Sequence, residues 1–155
     1  VGSDVPFFIK NKTARVGGKG NKVELVENNL KDSLILVKPL GFGVSTKDAY
    51  NSFDELDEVR YANFEKIVEC LRNDNRKDLE KYIENGLEQG ISERNADIKM
   101  FKAILNSVVP GKKFFMSGSG STYYTFVTEI ERSQIETRLR TFVDNVKIII
   151  SKTIN

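Results

Sequence analysis

Histidine does not occur anywhere in these 155 residues. Without an imidazole there is no Ser-His-Asp triad, no histidine general base and no histidine-ligated metal. Any chemistry must fall to carboxylates, lysines, hydroxyls and backbone amides. Cysteine is nearly absent too. Cys70 stands alone, so one chain can form neither a disulfide framework nor a multi-cysteine zinc site, which favours a reducing compartment. Charge of one sign is also lacking: 24 basic against 22 acidic residues leave +2, and the two signs are interspersed. That pattern gives no footprint for nucleic acid. The longest apolar run, Val146 to Ile150, is far too short to span a bilayer. The start has neither the basic region nor the apolar stretch of a signal peptide, so the expected location is the cytoplasm, with no membrane partner.

What is present is the composition of an ordinary globular protein, 39% hydrophobic and 30% charged, long enough for one domain or for one domain and a fragment of another. The opening residues, Val1-Gly2-Ser3-Asp4-Val5-Pro6-Phe7-Phe8, read as a cut end, beginning inside a motif. A hairpin is expected next, Thr13 to Val16 and Val23 to Val26 around the glycine-rich turn 17–21. Ser33 to Lys38 reads as a buried strand ended by Pro39. Ser45 opens a short helix with Asp48 at capping-box spacing. Helical periodicity follows over 57–71 and 79–87, with Gly90 near the second helix's end. Ser92 is expected to cap a further helix reaching Val108, which Pro110-Gly111 stops. The last third reads as strand 113–116, a glycine-serine loop 117–121, strand 122–127, helix 133–143 and strand 147–150. This β-α-β-β-α-β order predicts an α+β fold, a ferredoxin-like antiparallel sheet with helices on one face.

Three segments are candidates for chemistry. Asp4, in a tight segment bounded by glycine and proline, has the chemistry to receive a hydroxyl proton; the plainer reading is a turn residue bonded to local backbone. Ser117-Gly118-Ser119-Gly120-Ser121 lets backbone amides approach an anion closely, though it lacks the lysine and spacing of a P-loop. Thr46 and Tyr50, one helical turn apart, offer a hydroxyl and an aromatic ring to one face; the alternative is a capped helix with Tyr50 packed on the sheet. The acidic run Asp54, Glu55, Asp57 and Glu58 reads as a solvated helix start rather than a metal site. Met100 and Met116 read as core filler, and Cys70 as buried rather than reactive.

Taken in order, these segments resemble the GHMP family of small-molecule kinases, and within it the branch that phosphorylates a cytidyl-bearing alcohol. A Gly-Ala-Asp-Val-Pro-Phe-Phe stretch is similar to residues 2–8, with Ser3 in place of alanine. A Thr-Ala-Arg-x-x-Gly-x-Gly stretch is similar to residues 13–20. Pro-x-x-Gly-Val-Ser-Thr-x-x-x-Tyr is similar to Pro39 through Tyr50, with one more loop residue here. Asn-Asp-Leu-Glu is similar to Asn85-Gly86-Leu87-Glu88, and Met-Ser-Gly-Ser-Gly-Ser matches Met116 to Ser121. The approach to Met116, Val109-Pro110-Gly111-Lys112-Lys113, departs from the usual small residues.

The resemblance implies transfer of the ATP γ-phosphoryl group to an alcohol in non-mevalonate isoprenoid synthesis, with Mg²⁺ arriving on the nucleotide and no metal held by named residues. It implies that Asp4 is the catalytic aspartate, needing no histidine because a loose phosphoryl-transfer transition state demands little early activation of the nucleophile. Thr46 and Tyr50 would hold the substrate, and Ser117, Gly118, Ser119 and Gly120 would pack beside the nucleotide phosphates. Residues 1–30 would be the tail of the N-terminal domain and 31–155 the C-terminal domain. The partner would be the N-terminal half of the same enzyme; association of two copies is left open. The family's glycine- and serine-rich ATP loop and its lysine are not found in this sequence, so the chain by itself is expected to be inactive. Rival readings are a homoserine, mevalonate or diphosphomevalonate type of GHMP kinase, a non-catalytic binding or assembly module, and, against the charge balance, a nucleic-acid-binding ferredoxin-like domain.

Overall fold

A computed structural model describes residues 2–153. Val1, Ile154 and Asn155, the outermost residues of the two expected domains, lie outside the described residues. In chain order the elements are α1 (Val5–Lys10), β1 (Ala14–Gly17), β2 (Lys22–Leu25), β3 (Ser33–Pro39), α2 (Thr46–Asp54), α3 (Phe64–Arg72), α4 (Arg76–Tyr82), α5 (Gly86–Arg94), α6 (Ala96–Val108), β4 (Phe115–Met116), β5 (Tyr123–Val127), α7 (Glu129–Phe142) and β6 (Val146–Lys152). They form two compact units. The first takes residues up to Lys31, Asn63–Tyr82 and the residues from Lys152; the second takes Asp32–Ala62 and Ile83–Ser151.

In the first unit the turn that the glycine and proline suggested is present at Ser3-Asp4, and it runs directly into a six-residue helix that the sequence did not announce. Proline in the first two helical positions has no amide to leave unpaired, which favours a helix start there. Helix α1 ends at Asn11 in the left-handed conformation, φ 46°. The hairpin pairs β1 with β2 antiparallel, Ala14 opposite Leu25 and Gly17 opposite Lys22. The Arg15 guanidinium lies 4.3 Å from the centre of the Phe64 ring, which ties the hairpin to α3. Beyond the hairpin, the Asn29 amide donates to the Leu71 carbonyl at 3.0 Å, and its side chain donates to the Arg72 carbonyl at 2.9 Å.

The second unit holds the four-stranded sheet, in the order β4-β5-β3-β6. Numbering only these strands in chain order gives 2-3-1-4, the ferredoxin-like arrangement that the element order predicted. β5 runs antiparallel to both β3 and β4, with Ile35 opposite Thr125 and Met116 opposite Tyr123. Alternation along the strands sends Ile35, Val37, Tyr123 and Val127 to one face. There they form a core with Ile91 of α5, Ile98, Phe101 and Leu105 of α6, and Ile135 and Leu139 of α7. Phe42, Phe101 and Tyr123 continue it as a run of edge-to-face rings. Each fully buried Leu or Ile here contributes roughly 1.5–3 kcal/mol.

Helix α7 begins at Glu129, capped by Thr128, four residues before the expected Ser133, and three other helical expectations change. Residues 57–63 are not helical; α3 begins only after Asn63, whose side chain accepts the Lys66 amide at 3.1 Å. The stretch is held open at Arg60, whose amide donates to Gln89 Oε1 (2.9 Å) and whose carbonyl accepts from Gln89 Nε2 (2.7 Å). The expected 79–87 helix is divided between α4 and α5. Gly90 is mid-helix, and the cap of α6 is Asn95 rather than Ser92. Met100 is 65% exposed instead of core, whereas Met116 is buried. Among the described residues no helix is long and apolar enough to cross a membrane.

Candidate functional site

Asp4 belongs to the first unit. It precedes α1 as its N-cap, yet its carboxylate accepts no capping bond. The local turn is closed by backbone instead: the Val5 amide donates to the Gly2 carbonyl at 3.2 Å and the Phe8 amide to the Asp4 carbonyl at 3.1 Å. The carboxylate is therefore exposed and not spent on the helix. The segment is braced from one side by the hairpin turn. Gly20, at φ +82°, lies so close to Ser3 that a β-carbon there would overlap the Ser3 carbonyl oxygen. Phe8 and Ile9, just beyond Asp4, are exposed.

The glycine-serine loop, Thr46 and Tyr50 belong to the second unit. The loop joins β4 to β5 and closes on itself through Ser117 N to Thr122 O (2.8 Å) and Gly120 N to Ser117 O (3.0 Å). Gly118 and Gly120 adopt φ +56° and +86°, and the Gly120–Ser121 peptide is cis. The amides of Gly118 and Ser119 have no hydrogen-bond partner among the described residues. Successive free amides in a turn suit a negatively charged oxygen. Thr46, first residue of α2, shares a hydrogen bond with Ser119 through their hydroxyl oxygens, 3.1 Å apart. The predicted cap is in place as well, Ser45 Oγ accepting the Asp48 amide at 3.4 Å. Tyr50, one turn along α2, is exposed rather than packed on the sheet.

Helix α5 positions both of these elements. Its N-cap residue, Asn85, accepts the Glu88 amide through Oδ1 and donates through Nδ2 to two loop carbonyls, Met116 O (2.8 Å) and Gly118 O (2.9 Å). Glu88, buried, accepts the Met116 amide at 3.2 Å and the Lys102 ammonium at 2.6 Å. On its other side α5 meets α2 through two glycines. A β-carbon on Gly90 would come within 2.6 Å of the backbone of Ser52 and Phe53, and one on Gly86 within 2.5 Å of the Phe53 ring.

Electrostatics support a rigid setting rather than a titrating one. Burial, followed by the nearby Glu88 charge, pushes the Tyr123 hydroxyl far above its ordinary range, although no partner there meets ordinary hydrogen-bond geometry. Tyr124 is raised to about 12, mainly by burial. Burial, with Asp78 and Glu69 adding to it, raises the Cys70 thiol, so it is not a poised nucleophile. No group of three or more Asp, Glu, Cys or His side chains among the described residues could hold a metal ion. Glu55, in the acidic run, pairs with Arg94.

The structure thus brings Thr46 and Ser119 into contact, places Tyr50 on the helix that begins there, and leaves Asp4 uncapped within its own unit. The sequence reading did not single out Asn85, Glu88 or Gly20 as site residues. The first two carried a signal, an asparagine followed three residues later by glutamate, which is cap spacing. Gly20 was marked only by its place in a turn and as the last glycine of the 13–20 stretch.

No protein-family model matches the chain. Over all 155 of its residues it is 77% identical to a protein of Fusobacterium nucleatum subsp. nucleatum named 4-diphosphocytidyl-2-C-methyl-D-erythritol kinase, of which it covers 53%. A crystal structure of 4-(cytidine 5'-diphospho)-2C-methyl-D-erythritol kinase superposes on 98% of the chain with a TM-score of 0.73 at 21% identity, the chain covering 53% of it. The homoserine kinase of Cytophaga hutchinsonii superposes on 86% with a TM-score of 0.64 at 17% identity, the chain covering 45% of it. The chain spans about half the length of the curated relatives it matches. These likenesses establish an α+β fold of the kind found in GHMP kinases.

Proposed function

We propose that this chain, a relative of the 4-diphosphocytidyl-2-C-methyl-D-erythritol kinases, carries the aspartate and the phosphate-side loop of such an enzyme. The reaction would be ATP-dependent phosphorylation of the 2-hydroxyl of 4-diphosphocytidyl-2-C-methyl-D-erythritol, in the cytoplasm, as a step of non-mevalonate isoprenoid synthesis. One observation carries the reading: a glycine-serine loop whose carbonyls are engaged by the protein while two of its amides are not. Those amides, with the Thr46 and Ser119 hydroxyls, suit phosphate oxygens.

In this reading the substrate hydroxyl attacks the γ-phosphorus of ATP while the bond to the β–γ bridging oxygen breaks and ADP departs. The hydroxyl proton passes to the Asp4 carboxylate, which no helix cap engages. Thr46 steadies the substrate near the reacting hydroxyl, and Tyr50 offers one face for cytosine stacking. Mg²⁺ belongs to the nucleotide, and no residue of this chain is assigned to it. Residues 1–30 are the tail of the enzyme's first domain and 31–155 its second. The partner is the N-terminal half of the same enzyme, for which the exposed Phe8 and Ile9 supply apolar surface.

In the full-length enzyme, Asp4→Asn should lower kcat by roughly 10²–10⁴-fold without lowering the thermal midpoint, since the side chain supports no local bond. Undiminished turnover would overturn the reading. A coupled ADP-release assay on this chain alone should show no turnover, because the ATP loop is not in its sequence. The homoserine kinase reading shares the fold, so substrate decides between them. Protection of the full-length enzyme by the cytidyl substrate, and not by homoserine or mevalonate, is expected.

A further inference from the structure

We propose that Asn85, supported by Glu88, is a positioning residue: it turns the carbonyls of the glycine-serine loop inward and so presents the Gly118 and Ser119 amides to phosphate. The phosphate half of this statement rests on the function proposed above; the clamp itself rests on geometry alone. A five-residue loop containing two glycines at positive φ has many conformations open to it. Its own two backbone bonds, Ser117 to Thr122 and Gly120 to Ser117, fix the ends of the turn but not the peptide planes at its tip. Asn85 supplies the missing restraint. One NH₂ group spans Met116 O and Gly118 O, carbonyls two residues apart, and so fixes the 116–117 and 118–119 peptide planes, the second of which carries the Ser119 amide.

An amide side chain is needed for this. Asn85 uses its oxygen to cap α5 and its nitrogen to hold the loop, so the helix start and the loop share one residue. Glu88 holds the remaining backbone group of Met116, its N–H, and is itself oriented by Lys102. Together the cap and the first turn of α5 hold Met116 through both its carbonyl and its amide, immediately before the loop.

The division of labour inside Asn85 gives a separable test. Aspartate caps helices as well as asparagine does, but it has no donor for the loop carbonyls. In Asn85→Asp the thermal midpoint and the α5 amide exchange rates should stay near those of the unsubstituted chain. The Gly118 and Ser119 amides should shift in the NMR spectrum of this chain and exchange faster. If those two amides keep their shifts and rates, the clamp is refuted, whatever the activity. In the full-length enzyme the same substitution should raise KM for ATP roughly tenfold or more, leaving KM for the alcohol unchanged, as expected when a binding group is misplaced by about an ångström. Asn85→Gln, which retains the donor on a longer arm, should recover part of that loss. Loop amides that move with no change in KM for ATP would refute the phosphate-facing role while leaving Asp4 to be judged by its own substitution.

Discussion

The two units hold their proposed functional residues by different means. In the second, the loop and α2 are tied to α5, and α5 is embedded in a core of buried side chains reaching from β3 to α7. In the first, the buried apolar residues among those described are Leu30, Cys70 and Leu79, and α1, which follows Asp4, buries none of its own. The Asp4 segment is kept in place by backbone turns and by the close approach of Gly20. A phosphate-facing loop built of glycine has to be restrained from outside, and dense packing does that. An acid that accepts a proton needs a free side chain on a short, locally closed turn. On the proposed function, the difference in packing follows a difference in task.

The sharpest way to break this comparison is to cut into each unit in turn. Leu105→Ala, in the fully buried centre of the second unit, should cost about 2–5 kcal/mol by urea unfolding, whereas Phe8→Ala should cost less than about 0.5 kcal/mol in the isolated chain. Equal costs would mean that the first unit depends on its exposed rings after all. Gly20→Ala comes next. The left-handed backbone and the overlap with Ser3 should cost about 1–3 kcal/mol and loosen residues 2–5 by amide exchange, leaving the loop at 117–121 unaffected.

The smallest effect concerns pH. Burial alone would raise the Glu131 carboxyl, but hydrogen bonds from Lys112 and from the Thr128 amide, together with the Lys112 charge, lower it from 4.5 to about 2. A carboxyl depressed in the folded state stabilises above its unfolded pKa, and that contribution is lost as pH falls from about 4.5 towards about 2. Glu131→Gln should flatten the loss of stability in that window, read from denaturant midpoints at successive pH values. The side chain is about a third exposed, so the change will be modest.

Much of the second unit was legible in the sequence because pattern and chemistry agreed there. A continuous apolar run ended by proline marked β3, the Ser45 hydroxyl marked the start of α2, and Pro110-Gly111 marked the end of α6. The candidate loop was visible as small residues between two strands. What was not legible depended on groups far away in sequence. Val59 and Ala62 have helical spacing with Ile67, yet Gln89 takes the Arg60 backbone as a neighbouring strand would, and Asn63 starts the helix later. Ser92 has the chemistry of a cap, but Asn95 has both the chemistry and the extended backbone. Helix α1 was missed because it buries nothing, so hydrophobic periodicity had no face to report. Asn85 looked like one member of a motif; its hold on the loop depends on carbonyls more than thirty residues away.

The glycines at 86 and 90 have a consequence for how this protein can drift. Where helices meet through side chains, a substitution on one can be absorbed by a new rotamer on the other, and the axes creep apart by degrees. Here part of the seam is main chain on main chain, which has no rotamers to offer. Alanine at 90 would favour the helix intrinsically, by about 1 kcal/mol, and still be refused, because the Ser52 and Phe53 backbone cannot turn aside; at 86 the neighbour is the Phe53 ring, which can. The threonine at the head of α2 is thereby held at a fixed height while the surface around it remains free to vary.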